Sequence, residues 1–233
     1  MTREKSTSAA DFLAELNADP EYVRTRAARE NAQVLREAEI SLITRPLLQE
    51  LTAAGYTATS LDELLTKYAP LPSAIVILLL DSLSEVADIA VQEQIVRALG
   101  ASAGAFDGTS LITVFENTHS AGLQYAIANT MAQADVRDVA HWILDAVQDP
   151  ARGTARQMLA LAAARRNSPT LANPILLGLL DELPGHAALA LAESGERREL
   201  EALEKKYPAS AGWEKQQIGR AMSAIRRRVG ETA

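Results

Sequence analysis

The sequence predicts an all-α protein: a right-handed α-solenoid of about five helix pairs preceded by an N-terminal helical cap. Three observations predict it. Among 233 residues there are 43 Ala and 31 Leu but only 23 Val plus Ile, and aromatic residues make up 4%, a composition suited to helices and poor for strands. An apolar segment followed by small residues recurs five times at a nearly constant step. Gly, Pro, Asp and Ser gather between the recurring segments, where short turns are required. No β-sheet is expected.

The chain begins with a polar stretch, residues 1–10, which lacks the apolar centre of a secretory signal. Its longest unbroken apolar run, residues 74–80, falls far short of the roughly 20 residues that a membrane span needs. A cytoplasmic protein with no membrane segment is expected. The first helix is placed over residues 8–16, where Ser8 and Asp11 offer oxygens to the free amides of the first turn. Asp19-Pro20-Glu21 restarts the chain: Asp19 is a good N-cap, Pro20 needs no amide partner there, and Glu21 meets the positive end of the helix dipole. The helical pattern then runs to about Ala54, with Pro46 expected to kink or divide it. Gly55 ends the stretch, and Ser60-Leu61-Asp62-Glu63 opens a short helix that closes at Tyr68 before Pro70 and Pro72.

Beyond Pro72 come the pairs. Their second helices are placed over residues 91–100, 122–132, 153–165, 185–194 and 213–225, with Ile95, Ile127, Leu159, Ala188 and Ile218 equivalent at steps of 32, 32, 29 and 30. Their first helices are placed over 73–83, 109–117, 136–147, 171–183 and 196–206. One such pair cannot bury its apolar face alone, so successive pairs must stack. Ala98, Ala128, Ala162 and Ala192 fall at the packing positions, where a small side chain permits close helix approach. The expected organisation is a cap over residues 1–70, the array over 71–228 and a disordered tail at 229–233.

The paired segments resemble HEAT-like repeats. The order FLAELNADPEYV, a long charged helix ending PLLQELTAAG, then SLDELLTKY and the repeats is similar to a group of bacterial HEAT-repeat proteins. The resemblance implies a fold and a style of binding. It carries over no catalytic residue, because such repeats are defined by helix packing and not by an invariant chemical group.

The residues themselves offer little chemistry. There is no cysteine, which excludes disulfides and thiolate ligands. His119, His141 and His186 stand apart in different units without HxxxH or HExxH spacing, so no metal site or cofactor is expected; Trp142 is read as a core residue. No GxSxG motif or glycine-rich phosphate loop is present. Asp81 and Glu85 form a like-charge pair of the kind that solvated helix faces produce routinely. The net charge is −7, and residues 70–151 hold 2 basic against 10 acidic residues, a poor surface for phosphates. Residues 196–233, with 9 basic and 6 acidic residues, are the alternative basic surface, read first as cations at the last turn of a final helix. Nucleic acid is therefore not an expected partner, although some HEAT-like solenoids resemble bacterial alkyl-purine DNA glycosylases, which makes a glycosylase or other hydrolase the rival reading.

The expected function is a non-enzymatic scaffold that binds another protein. Residues two beyond the core positions of the second helices should face solvent and line up across repeats. They give a candidate partner-binding ridge of Glu93, Arg97, Tyr125, Asn129 and Gln157. A partner on the middle repeats is expected to be basic, drawn by Asp81, Glu85, Asp88, Glu93, Asp107, Glu116, Asp135 and Asp138.

Overall fold

The computed structural model describes residues 8–230, the side chain of Asp11 aside, and within them the chain is almost wholly helical, with thirteen α-helices. It divides into two compact units, Met1–Arg45 and Pro46–Ala233. No helix among the described residues is long and apolar enough to cross a membrane.

The first unit holds α1 (Ala9–Ala18) and the greater part of α2 (Pro20–Ala53). Asp19 Oδ1 accepts from the Glu21 amide at 2.8 Å, the cap that the Asp-Pro-Glu sequence calls for. Phe12, Leu13, Val34, Leu35 and Leu42 are all exposed. Against expectation Pro46 does not divide α2, which runs through it, although the boundary between the two units falls at that residue.

In the second unit α3 (Leu61–Tyr68) starts at the Ser60 cap, whose side chain accepts from the Glu63 amide, and packs on the helix Ile89–Leu99. Segment 46–70 thus belongs to the same unit as the pairs. The pairs are α4 (Ser73–Glu85) with α5 (Ile89–Leu99), α6 (Thr109–Asn117) with α7 (Ala121–Gln133), α8 (Ala140–Gln148) with α9 (Ala155–Arg166), α10 (Pro169–Gly178) with α11 (Pro184–Ser194), and α12 (Arg197–Lys206) with α13 (Gly212–Val229). Ile95, Ile127, Leu159, Ala188 and Ile218, equivalent by spacing, are all fully buried. Each second helix packs on the next: α5 on α7, α7 on α9, α9 on α11 and α11 on α13.

Polar side chains fix the register of these contacts. Near the end of α7, Thr130 Oγ1 donates to the Val96 carbonyl of α5 at 2.8 Å. Arg166, closing α9, donates from Nε to the Met131 carbonyl at 3.1 Å and from Nη2 to that of Ala134, at the end of α7. Arg228, closing α13, gives its guanidinium to the carbonyls of Ala192 and Gly195 at the end of α11. A helix leaves its last four carbonyls without intrahelical donors, so the two arginines satisfy groups that would otherwise need water, while Thr130 adds a second donor to a Val96 carbonyl that the Gly100 amide also reaches.

Several boundaries depart from expectation. Residues 136–137 are not helical: β1 (Phe106–Asp107) and β2 (Val136–Arg137) form a two-residue parallel pairing, against the expectation of no sheet. The cause is local. The turns that lead into successive first helices run side by side in the same direction, so the Phe106 amide reaches the Asp135 carbonyl at 3.1 Å and the Gly108 amide that of Arg137 at 3.0 Å. Leu71 and Ala101 to Ala103 repeat the arrangement one step earlier. Helix α10 ends at Gly178, five residues short of expectation, and the chain turns through 179–183. Ala98, Ala128 and Ala162 are buried as expected, but Ala192, whose carbonyl accepts from Arg228, is half-exposed. At the C-terminus Val229 is still helical and Gly230 caps α13 in the left-handed conformation at φ 77°, so the disordered tail expected from 229 does not begin at those two residues; its remainder, 231–233, lies outside the described residues, as do residues 1–7.

Candidate functional site

The ridge residues lie on the mutually packed helices α5, α7 and α9. Arg97 is well exposed at 67% and Tyr125 is exposed at 38%, whereas Glu93, Asn129 and Gln157 are half-buried. Glu93 is occupied locally. Its Oε2 pairs with Arg97 Nη2 at 3.2 Å, and its Oε1 lies so close to Gly122 that a Cβ there would come within 2.8 Å. Gly122 is in the first turn of α7, so the carboxylate sits where the free amides and the helix dipole favour an anion. Asn129 Oδ1 accepts from Gln133 Nε2 at 2.9 Å.

Most of the acids expected to attract a partner are committed elsewhere. Asp88 caps α5, accepting from the amides of Ala90 and Val91 at 3.0 and 3.1 Å. Asp107 accepts from the Thr109 hydroxyl and amide, and these hydrogen bonds lower the pKa of its carboxyl. Asp135 pairs with Arg166. Glu116 accepts from Trp142 Nε1 at 2.9 Å and pairs with Arg152 Nη1 at 2.8 Å, while the Arg152 guanidinium lies 5.5 Å from the centre of the Phe115 ring. Trp142, read from the sequence as core, is therefore half-buried with its indole N–H turned to a surface carboxylate. Asp81, Glu85 and Asp138 remain exposed.

An opening of about 870 Å³ in this unit is a groove between the end of α4, the start of α5, helix α6 and the α6–α7 turn. The sequence reading missed it. Leu83, Ala87, Ile89 and Val114 supply the apolar part of its lining, and the rest is polar, with no carboxylate, lysine or arginine among it. On α6, Thr109, Thr113 and Asn117 recur every fourth residue on one face. Both hydroxyl hydrogens and one amide hydrogen are spent: Thr109 Oγ1 donates to Asp107 Oδ1 at 2.7 Å, Thr113 Oγ1 to the Thr109 carbonyl at 3.0 Å, and Asn117 Nδ2 to the Thr113 carbonyl at 2.9 Å. Across the groove Ser84 Oγ donates to the Asp81 carbonyl at 2.7 Å and Gln92 Nε2 to that of Val86 at 2.8 Å. A hydroxyl has one hydrogen and two lone pairs, so these hydroxyls keep only oxygen acceptors to offer, joined by Asn117 Oδ1 and Gln92 Oε1, while each of the two amides keeps one N–H. At the α6–α7 turn the balance reverses. Thr118 Oγ1 and Ser120 Oγ accept from the amides of Ser120 and Leu123 and keep their hydrogens to give.

His141 is exposed on α8, and no group of three or more His, Asp or Glu that could hold a metal ion occurs among the described residues. His186 lies 4.8 Å, ring centre to ring centre, from Trp213, and burial there lowers its pKa. The C-terminal cations are largely engaged in the fold: Arg226 pairs with Glu204 at 2.7 Å, Lys206 with Asp181 at 2.7 Å, and Arg228 caps α11. Set against protein-family models, curated proteins and solved structures, the chain finds no match.

Proposed function

We propose that this protein is a non-enzymatic scaffold of the cytoplasm, a right-handed solenoid of five HEAT-like helix pairs that binds a basic partner protein through its middle repeats. The order of helix contacts supports the architecture, since the extensive ones join each second helix to the next along the chain. The observation that carries the function is the open groove between the first two pairs, which presents hydrogen-bonding groups and apolar side chains beside exposed Asp81 and Glu85. Such a surface is built for recognition: groups for contact are fixed in place, while Asp88, Asp107, Glu116 and Asp135 are tied into caps and ion pairs. The exposed Tyr125 and Arg97 add the residue types that interfaces favour.

The test is affinity capture from the native cell with the captured protein then purified and its binding measured. A basic partner whose association weakens with salt, and whose affinity falls about tenfold with Tyr125→Ala or Glu85→Lys, is the expected result, each about 1.4 kcal/mol. An electrophoretic shift with duplex DNA decides the rival: tight binding at low salt that is lost steeply as salt is added would favour a glycosylase-like activity.

A further inference from the structure

We infer that the groove between α4 and α6 is a docking site for an extended segment of a partner protein that carries arginine at alternate positions. The inference rests on the scaffold reading and names what its groove takes. Three observations converge on it.

The first is polarity. Ser84, Thr109 and Thr113 have given their hydroxyl hydrogens to acceptors of the protein itself, and Asn117 has given one of its two amide hydrogens, so acceptor oxygens outnumber free donors along the wall. A guanidinium has five N–H donors and no acceptor, which makes it the natural complement of such a wall. The second is charge. No lining residue is a carboxylate or a permanent cation, yet Asp81 and Glu85 flank Ser84 on α4 and are exposed. They attract a cation without requiring a buried ion pair, so the desolvation penalty of such a pair is avoided. The third is spacing. Thr109, Thr113 and Asn117 follow one another at four-residue intervals, about 6 Å of helix rise, and alternate side chains of an extended chain are about 6.6 Å apart. A strand laid along α6 therefore brings its first, third and fifth side chains to successive acceptors. Thr118 and Ser120, which keep their hydroxyl hydrogens at the α6–α7 turn, are placed to donate to that strand's carbonyl oxygens.

The experiment uses the full chain and fluorescein-labelled nine-residue peptides: Arg at alternate positions, the same composition with Arg at every third position, and a citrulline version of the first. Binding is read by fluorescence anisotropy at low salt. The alternating peptide is expected to bind at least fivefold tighter than the respaced one and at least tenfold tighter than the citrulline one. Thr113→Val with Asn117→Leu, both on the exposed face of α6, should weaken the alternating peptide about tenfold with an unchanged circular dichroism spectrum. If that variant misfolds, Ser84→Ala with Gln92→Leu supplies the same test from the opposite wall. Equal binding of the two arginine spacings, no binding at all, or displacement by free arginine as effective as by peptide would overturn the inference. Binding kept in both groove variants but lost in Tyr125→Ala would overturn the groove and leave the scaffold reading, now centred on the ridge, in place.

Discussion

At the scale of single residues, two positions carry their explanation in the coordinates. Gly108 lies between the two parallel turns, and a Cβ there would run into the side chain of Val139 and come within 3.1 Å of the Arg137 carbonyl. Gly108→Ala should therefore destabilise the protein by about 1–3 kcal/mol through overpacking, whereas Gly104→Ala, with nothing within 4 Å, should change it little. Urea denaturation of the two variants makes the comparison; equal midpoints would show that the turn relaxes freely. Glu63 is the second. Its Oε1 meets Lys67 Nζ at 2.7 Å, and its Oε2 accepts from the Thr59 amide and hydroxyl, each at 2.6 Å. Lys67 first and Thr59 second hold the carboxyl at a pKa of about 2, against 4.5 for an ordinary glutamate. The folded state thus binds this proton less readily than the unfolded chain, so the contribution is present above pH 4.5 and is lost as pH falls from there towards about 2. The same pair raises the pKa of Lys67, so its share is present below 10.5 and is lost as pH rises beyond that. In Glu63→Gln the acid limb of a stability-against-pH curve should be shallower; an unchanged slope would remove the pair from the account.

At the scale of elements, the helices were legible because two periodic signals agreed. Apolar residues recur with helical spacing, and Gly or Pro stands at almost every turn, so all five second helices were located with their fully buried residues in register. What escaped has a physical reason in each case. A two-residue strand has no periodicity to detect, so Phe106–Asp107 and Val136–Arg137 read as turn and helix start. Arginine in a last turn looks the same whether it offsets its own dipole or reaches another helix, which hid the roles of Arg166 and Arg228. The groove required knowing that α4 and α6 lie together and where each hydroxyl hydrogen goes, and neither is written in local sequence. Arg166 supplies the element-scale prediction. Its guanidinium is partly buried, which lowers its pKa, and it holds the last carbonyls of α7. Arg166→Leu leaves those carbonyls and Asp135 without it, at a cost of about 1–3 kcal/mol, and amides in the last turn of α7 should exchange faster with solvent. Lys in its place should restore little, because one ammonium cannot reach two carbonyls and a carboxylate in the fork geometry of arginine.

At the scale of the whole second unit, the contacts between pairs predict how it unfolds. If each pair is held mainly by its neighbours, stability is a sum of local terms and the ends open first, whereas a closed bundle would open as one body. The C-terminal end differs from the middle in what it would lose. There α13 packs on α11 and α12 and is tied across by Arg228 and by the Arg226–Glu204 pair. In the middle, α7 is packed on both sides, by α5 and α9, and each of those contacts carries a polar tie, Thr130 to Val96 and Arg166 to Met131. Native-state hydrogen exchange should accordingly rank amides of α7 and α9 as the most protected and those of α12 and α13 as less so. Arg228→Met should widen the gap, lowering protection in α11 to α13 while leaving α5 to α9 within error. A uniform fall in protection across all five pairs would mean that they unfold together, and the stacked, neighbour-by-neighbour architecture would have to be given up.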